Sequence, residues 1–240
     1  MRVALISDVH ANLPALEAVL EALGTCDALW HMGDVVGYGP HPVEVVERLA
    51  AAGAVGVRGN HDAAAVGAID TEWFNEDARR AIEWTAGRLE PATRHWLEAL
   101  PETLRLGDFT LVHGSLRDPT WEYVVSASSA RGILARLETP YGLIGHSHLP
   151  CAFRDDGDRV TTLVAEETTE IGLDERHLLF NPGGVGQPRD GDPRAAGAIL
   201  DTETATVRWL RVTYPIEQTQ AAMREVGLPR RLIERLSYGL

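Results

Sequence analysis

Nine side chains able to bind a metal ion fall in five short motifs of this chain, Asp8-Val9-His10, Gly33-Asp34, Gly59-Asn60-His61-Asp62, His113-Gly114 and Gly145-His146-Ser147-His148, and seven of them are the candidate ligands. The seven are Asp8, His10, Asp34, Asn60, His113, His146 and His148. Carboxylate, imidazole and amide oxygen together suit hard-to-borderline divalent ions, and no thiolate is present to favour a soft one. Two such ions can lower the pKa of a shared water and stabilise charge that develops on phosphoryl oxygens. A lone Asp-x-His or Gly-Asn-His is common by chance, and a single histidine is ordinarily a core or capping residue. Only the ordered set of five is distinctive.

That set has to be positioned by the elements around it. Arg2–Ser7, Asp27–Met32 and Ala54–Arg58 read as buried strands, Asn12–Leu23 and Pro42–Ala51 as the helices between them. Asn12 can cap the first helix, and Pro42 suits the first position of the second. Strands separated by helices imply parallel βαβ units. Glu76–Leu89 and Ala92–Leu100 read as helices. Leu104–Leu106 and Phe109–His113 form an expected hairpin turned at Gly107-Asp108. Ser128–Leu137 is helical and Gly142–Gly145 a short strand. From Cys151 the texture is mostly β, with strands expected over Val160–Val164, His177–Phe180, Ala198–Leu200 and Thr206–Val212. Ile216–Val226 and Pro229–Leu236 close the chain as helices. The economical organisation is one domain over 1–240 with a helical insert at about 70–101.

On this layout all five motifs follow strand ends, where ligands gather in open α/β sheets. Asp8 with His10, and His146 with His148, are i, i+2 pairs, which in an extended chain point the same way.

Composition narrows the chemistry further. Net charge is −13, and all 22 basic residues are Arg. Nucleic acid is a poor partner for such a surface, because its binders carry a basic face. The absence of Lys removes Schiff-base chemistry and the Gly-Lys-Ser/Thr phosphate loop. An anionic substrate then needs a local positive charge, and metal ions are the leading source. No apolar run approaches the length of a membrane span, and Met1–Asp8 does not read as a signal peptide. A cytoplasmic location is expected, with Cys26 and Cys151 as buried thiols. A nucleophilic role for Cys151 near His148 has no support in its surroundings.

The five motifs, in this order, resemble the signature of the calcineurin-like metallophosphoesterase superfamily. The segment Asn181-Pro182-Gly183-Gly184-Val185-Gly186-Gln187-Pro188-Arg189 is similar to the Asn-Pro-Gly-Ser stretch of its small bacterial and archaeal phosphodiesterase branch. The resemblance implies an α+β fold, a four-layer α/β/β/α sandwich, with a dinuclear site. It implies that Asp8, His10 and His148 bind one ion, that Asn60, His113 and His146 bind the other, and that Asp34 bridges them. Manganese is the leading metal, with iron, zinc or nickel compatible.

His61 adjoins a ligand without being one, so it is the candidate general acid for the leaving alkoxide, and the resemblance implies the same role. Asp62 either orients a neighbour or caps a helix. Protein phosphatases and dinucleoside tetraphosphatases extend the second motif to Gly-Asp-x-x-Asp-Arg-Gly. Here it runs Gly33-Asp34-Val35-Val36-Gly37-Tyr38-Gly39, without the second acid or the Arg. A monoanionic diester needs less positive charge than a dianionic monoester, so phosphodiester hydrolysis is expected ahead of phosphomonoester or nucleotide phosphatase activity. The alternative of another class is a non-catalytic metal-binding scaffold.

The expected partner is a small phosphorylated molecule, nucleotide-like ones included, and homo-oligomers are compatible with the sequence. Tyr38 to Pro42 either lines the substrate pocket or forms a rigid turn. Arg189 can meet a phosphate, whereas Arg117 reads as a surface residue. His31 is expected beneath the site, and His95 and His177 in structural or solvent-facing positions. Trp73, Phe74, Trp84 and Trp96 are expected to pack the helical insert onto the rest, one of them available to stack a nucleobase.

Overall fold

The computed structural model describes residues 1–174 and 177–240. Its first third alternates as the apolar periodicity requires: β1 (Arg2–Ile6), α1 (Leu13–Leu23), β2 (Ala28–His31), α2 (Pro42–Ala51) and β3 (Val55–Gly56). Asn12 caps α1 by accepting from Ala15 N at 3.3 Å, and Pro42 opens α2. Val3 is paired with Ala28 and Trp30 with Val55, both in parallel register, so the expected βαβ units are present.

Further along lie α3 (Asn60–Ala65), α4 (Glu76–Ala86), α5 (Pro91–Glu98), β4 (Thr103–Leu106), β5 (Phe109–Val112), α6 (Ala127–Leu134) and β6 (Tyr141–Leu143). The β4–β5 hairpin turns on Gly107 and Asp108, with Leu106 opposite Phe109. The remainder is β7 (Cys151–Asp155), β8 (Val160–Val164), β9 (Glu170–Gly172), β10 (Leu178–Asn181), β11 (Ala195–Asp201) and β12 (Thr206–Val212), closed by α7 (Ile216–Glu225) and α8 (Arg230–Arg235). Two six-stranded mixed sheets result, ordered β3-β2-β1-β11-β12-β9 and β4-β5-β6-β10-β7-β8.

Strand periodicity fixes the layering. On β1, Val3 and Leu5 face Phe109, Leu111, Leu143 and Phe180 of the second sheet, while Ala4 and Ile6 face Leu16, Val19, Val45 and Leu49 of α1 and α2. The far side of the second sheet is covered by Ala130, Ile133 and Leu134 of α6 against Phe153 and Leu179. The order is helices, sheet, sheet, helix, as expected. A fourth cluster joins Ala78 and Ala81 of α4 to Met223, Leu232, Ile233 and Leu236, with Tyr38 among them. Among the described residues no helix is long and apolar enough to cross a membrane.

Several expectations need correction. β3 is two residues, not five, because the backbone turns away at Arg58, whose N–H donates to Pro101 O at 2.8 Å. α3 was not among the expected helices, although a helix cap was one of the two roles read for Asp62. β7 and β9 were missed among the turn-rich segments that follow Cys151.

Candidate active site

Both sheets end at the same edge of the sandwich. Asp8 and His10 follow β1, Asp34 follows β2, Asn60 opens α3 after β3, His113 follows β5, and His146 and His148 follow β6. All seven predicted metal ligands are buried there, and His61 with them. Asp34 Oδ2 lies 3.6 Å from His10 Nε2 and 3.4 Å from His113 Nε2. His148 Nε2 is 3.2 Å from Asp8 Oδ1, and His113 Nε2 is 3.0 Å from Asn60 Oδ1 and 3.1 Å from His146 Nδ1. Three overlapping groups have the spacing of a metal shell: Asp8, His10 and His148; His10, Asp34 and His61; Asp34, His113 and His146.

The convergence has a different backbone cause from the one the sequence suggested. Asp8, His10, Asp34, His146 and His148 all have positive φ, between 47° and 62°. These residues are not extended, so i, i+2 alternation does not aim them. Each is swung by a left-handed turn immediately beyond its strand. The turns are held by backbone bonds that prolong the β1–β2 pairing: Asp8 N to Gly33 O (3.0 Å), His10 N to Asp34 O (2.9 Å) and Ala11 N to Val35 O (2.9 Å).

Imidazole orientation is set from behind. His10, His113 and His148 donate from Nδ1 to the carbonyls of Val36 (3.2 Å), Met32 (2.7 Å) and Gln187 (2.5 Å). That tautomer directs each Nε2 at the centre, the arrangement seen behind metal-bound histidines. His10 Nε2 and His148 Nε2 then face each other at 3.2 Å, and Asp8 Oδ2 is buried without a partner. Two lone pairs in contact beside an unpaired carboxylate oxygen are unfavourable unless a cation lies among them. The donor set therefore fits a metal ion.

Electrostatics follow from this crowding. Burial is the strongest influence on Asp8 and would raise it, but His148 and His113 together hold the carboxyl far below its usual range. Burial likewise opposes ionised Asp34, which His113 and His61 nevertheless hold well down. Burial works against a charged His113, yet Asp34 pushes it up to about 9. His10 is held well down, and His146 down to about 3, chiefly by burial. A metal ion would have to displace the His113 proton, so its affinity rises with pH.

Other side chains support this frame. Asp62 accepts from Val36 N and Gly59 N, each at 3.0 Å, tying the loop after β2 to the start of α3. It thus both caps α3 and steadies the backbone that carries Asp34 and Asn60. Asn181 donates to Gly145 O (2.8 Å) and Ser147 Oγ (3.1 Å), holding the His146–His148 turn. Gly59 lets the Asp34 carboxylate pass, since a Cβ there would lie 2.0 Å from Asp34 Oδ1. His31 is buried under the site as expected, stacked on Trp96. Cys151 is buried, and burial pushes its thiol up to about 12, so it has no nucleophilic character at neutral pH.

Over the site opens a cleft of about 490 Å³, lined by Asp34, Asn60, His61 and His146 below and by Tyr38, Trp73, Phe74, Trp121, Tyr123 and Arg189 around the mouth. Tyr38 and Arg189 therefore line the cleft. His41 does not, and stands at the start of α2. Trp84 and Trp96 pack against the core as expected, but Trp73 is 82% exposed and does not. Trp121 and Tyr123 had no periodic or motif signal to mark them in the sequence.

The model of the calcineurin-like phosphoesterase superfamily domain matches residues 1–205. This chain belongs to that superfamily. As a calcineurin-like phosphoesterase it is similar in structure to a metallophosphoesterase from Sphaerobacter thermophilus, with 44% identity, coverage of 100% of this chain and 99% of the other, and a TM-score of 0.92. In sequence the phosphoesterase is 32% identical to the uncharacterized protein MJ0912 of Methanocaldococcus jannaschii, covering 99% of this chain and 98% of that one. It is 30% identical to the phosphodiesterase YfcE of Escherichia coli K12, covering 86% and 91%. The family is one of phosphoester hydrolases, and the histidine–carboxylate shell described above lies within the matched region.

Proposed function

We propose that this phosphoesterase hydrolyses phosphodiesters with two divalent metal ions. The observation that carries the reading is the position of Asp34, whose Oδ2 lies 3.6 Å from His10 Nε2 and 3.4 Å from His113 Nε2, between the two sets of donors. Asp8, His10 and His148 would hold one ion, Asn60, His113 and His146 the other, with Asp34 common to both. The oxygen and imidazole donors suit manganese, and also iron, zinc or nickel. Bound there, such a pair supplies a nucleophile from water near neutral pH and stabilises charge on phosphoryl oxygens.

The protein's own groups complete the reaction. Arg189 lies at the mouth, its guanidinium carbon 5.9 Å from the Tyr38 ring centroid, oriented by Gln187 Oε1, and can fork onto non-bridging phosphate oxygens. His61 lines the floor beside Asp34, its ring 4.9 Å from that of His10. Burial holds His61 down to about 4, so in the free protein it is neutral. A phosphate anion beside it favours the imidazolium, and that proton then goes to the leaving alkoxide.

Diesters are favoured because Arg189 is the single guanidinium lining the cleft among the described residues. The positions that would carry the extra acid and the Arg hold Gly37, whose Cβ would lie 2.5 Å from His61 Nδ1, and buried Tyr38.

The test combines elemental analysis with hydrolysis of bis(p-nitrophenyl) phosphate and p-nitrophenyl phosphate by the manganese-loaded protein. The diester is expected to be cleaved faster. His61→Ala is expected to keep its metal and lose roughly 10²–10⁴-fold in kcat. Loss of metal in that variant would make His61 a ligand instead, consistent with its distance to His10 and Asp34, and an inert wild type would leave only a scaffold.

A further inference from the structure

The upper walls of the cleft are aromatic. Five of the chain's fifteen Phe, Trp and Tyr side chains line it. They come from separate segments: Trp73 and Phe74 from the connection between α3 and α4, Trp121 and Tyr123 from that between β5 and α6, and Tyr38 from the loop after β2. Phe74 meets Trp121 edge to face at 4.9 Å, joining the two walls. Phe74 also meets His61 at 5.0 Å, and Tyr123 stacks on His146 at 3.9 Å, so the aromatic surface runs directly into the metal-binding floor.

Simple packing does not account for these rings. Trp73 is 82% exposed and Tyr123 49%, although an indole gains most from burial. Both stand at the rim of a site whose floor is polar. The space they line opens to solvent and lies directly over the buried histidines and carboxylates of the floor.

Resting on the proposed phosphodiesterase reading, we infer that this aromatic lip is a nucleobase subsite, so that the substrates are nucleoside phosphodiesters. Stacking accepts any base, since every base presents a π-face. Two features favour a base over a plain hydrocarbon group. Asn75 lines the same wall with its carbonyl oxygen already accepting from Ala78 N at 3.0 Å, so what it offers the cleft is its NH₂ donor. A base carries ring nitrogens and carbonyls to receive it, and an alkyl or phenyl group does not. In addition, the net charge of −13 disfavours a polyanionic ligand, and a nucleoside diester carries one charge on a largely neutral body.

The test separates recognition from turnover. Adenosine 5′-monophosphate and ribose 5-phosphate are titrated against the purified protein, with tryptophan emission as the readout for the first and competition for the second. The base-bearing ligand is expected to bind more tightly by roughly 5- to 150-fold, the factor equivalent to about 1–3 kcal/mol of stacking. Trp73→Ala and Trp121→Ala should each reduce this preference, and should lower kcat/KM for a dinucleoside diester relative to a methyl ribose phosphodiester. A structural defect would depress both substrates together and leave the ratio intact. Equal affinity for the two ligands, or a preference unchanged in both variants, overturns the subsite. If the base preference holds while no ester of any kind is cleaved, the subsite stands and the hydrolase reading fails.

Discussion

His31 offers a test of how the site is supported that does not depend on catalysis. It lies fully buried beneath the metal-binding floor, against Trp96 and the backbone of Gly56, and neither ring nitrogen has a hydrogen-bond partner. Burial alone lowers it from 6.5 to about 4. The unfolded chain therefore binds a proton near pH 6.5 that the native state refuses until near pH 4. Stability is intact above pH 6.5 and declines as pH falls toward 4. The full span of 2.5 units corresponds to about 3.4 kcal/mol, and about 2 kcal/mol of it is already lost at pH 5. His31→Leu removes the titration and leaves only a packing cost that does not vary with pH. Urea unfolding of both proteins at pH 7.5 and pH 5 gives the difference of differences. The variant should lose about 2 kcal/mol less than wild type between the two pH values. Parallel losses would refute the reasoning and mean that His31 finds a proton acceptor in the native state.

Two further outcomes follow from the geometry. Gly59→Ala has permissive backbone angles, φ −89° and ψ 175°, so its cost comes from space: the new Cβ would sit 2.0 Å from Asp34 Oδ1 and 2.3 Å from Asp34 N. It should lose about 1–3 kcal/mol by denaturant unfolding and bind less metal by elemental analysis; an unchanged metal content would show that Asp34 need not stay where it is. Iodoacetamide at pH 8 should leave Cys151 unmodified in the native protein and alkylate it only after unfolding, as mass spectrometry of peptides would reveal, because burial holds that thiol near 12.

How much of this could be read from sequence differs by element. The β1-α1-β2-α2-β3 half was legible because Leu13, Leu16, Leu20 and Leu23, and then Val45, Val46 and Leu49, recur at helical spacing between apolar runs, and the hairpin at Gly107-Asp108 because its turn chemistry is local. β9 was not legible, since three residues of alternating exposure carry no period. α3 was hidden because every residue from Asn60 to Ala65 is buried, leaving no polar face to mark a helix. In the site, the ligand types and their order were visible. Trp121 and Tyr123 were not, because loop residues are placed by the elements at either end and not by a repeat of their own. Trp73 was visible but misread: its exposure depends on where the α3–α4 connection lies relative to the cleft, which only tertiary structure decides.

The left-handed backbone at the site ties these observations together. Of nine non-glycine residues with positive φ among the described residues, seven are Asp8, His10, Ala11, Asp34, Tyr38, His146 and His148. Each such conformation costs an L-residue about 1–2 kcal/mol, so together they absorb an amount on the order of the net stability of a whole domain. That concentration cannot be incidental packing, because five of the seven are the candidate ligands themselves. Among non-glycine residues, Asp, Asn and His enter this region most readily, whereas β-branched residues resist it. The types that ligate a divalent ion are thus also the types that tolerate the turn required to reach it. These residues nevertheless keep their own N–H groups on the segment that follows β2, Asp8, His10 and Ala11 donating to Gly33, Asp34 and Val35. The strain and the ligand geometry share one cause, so relieving the first by substitution should loosen the second.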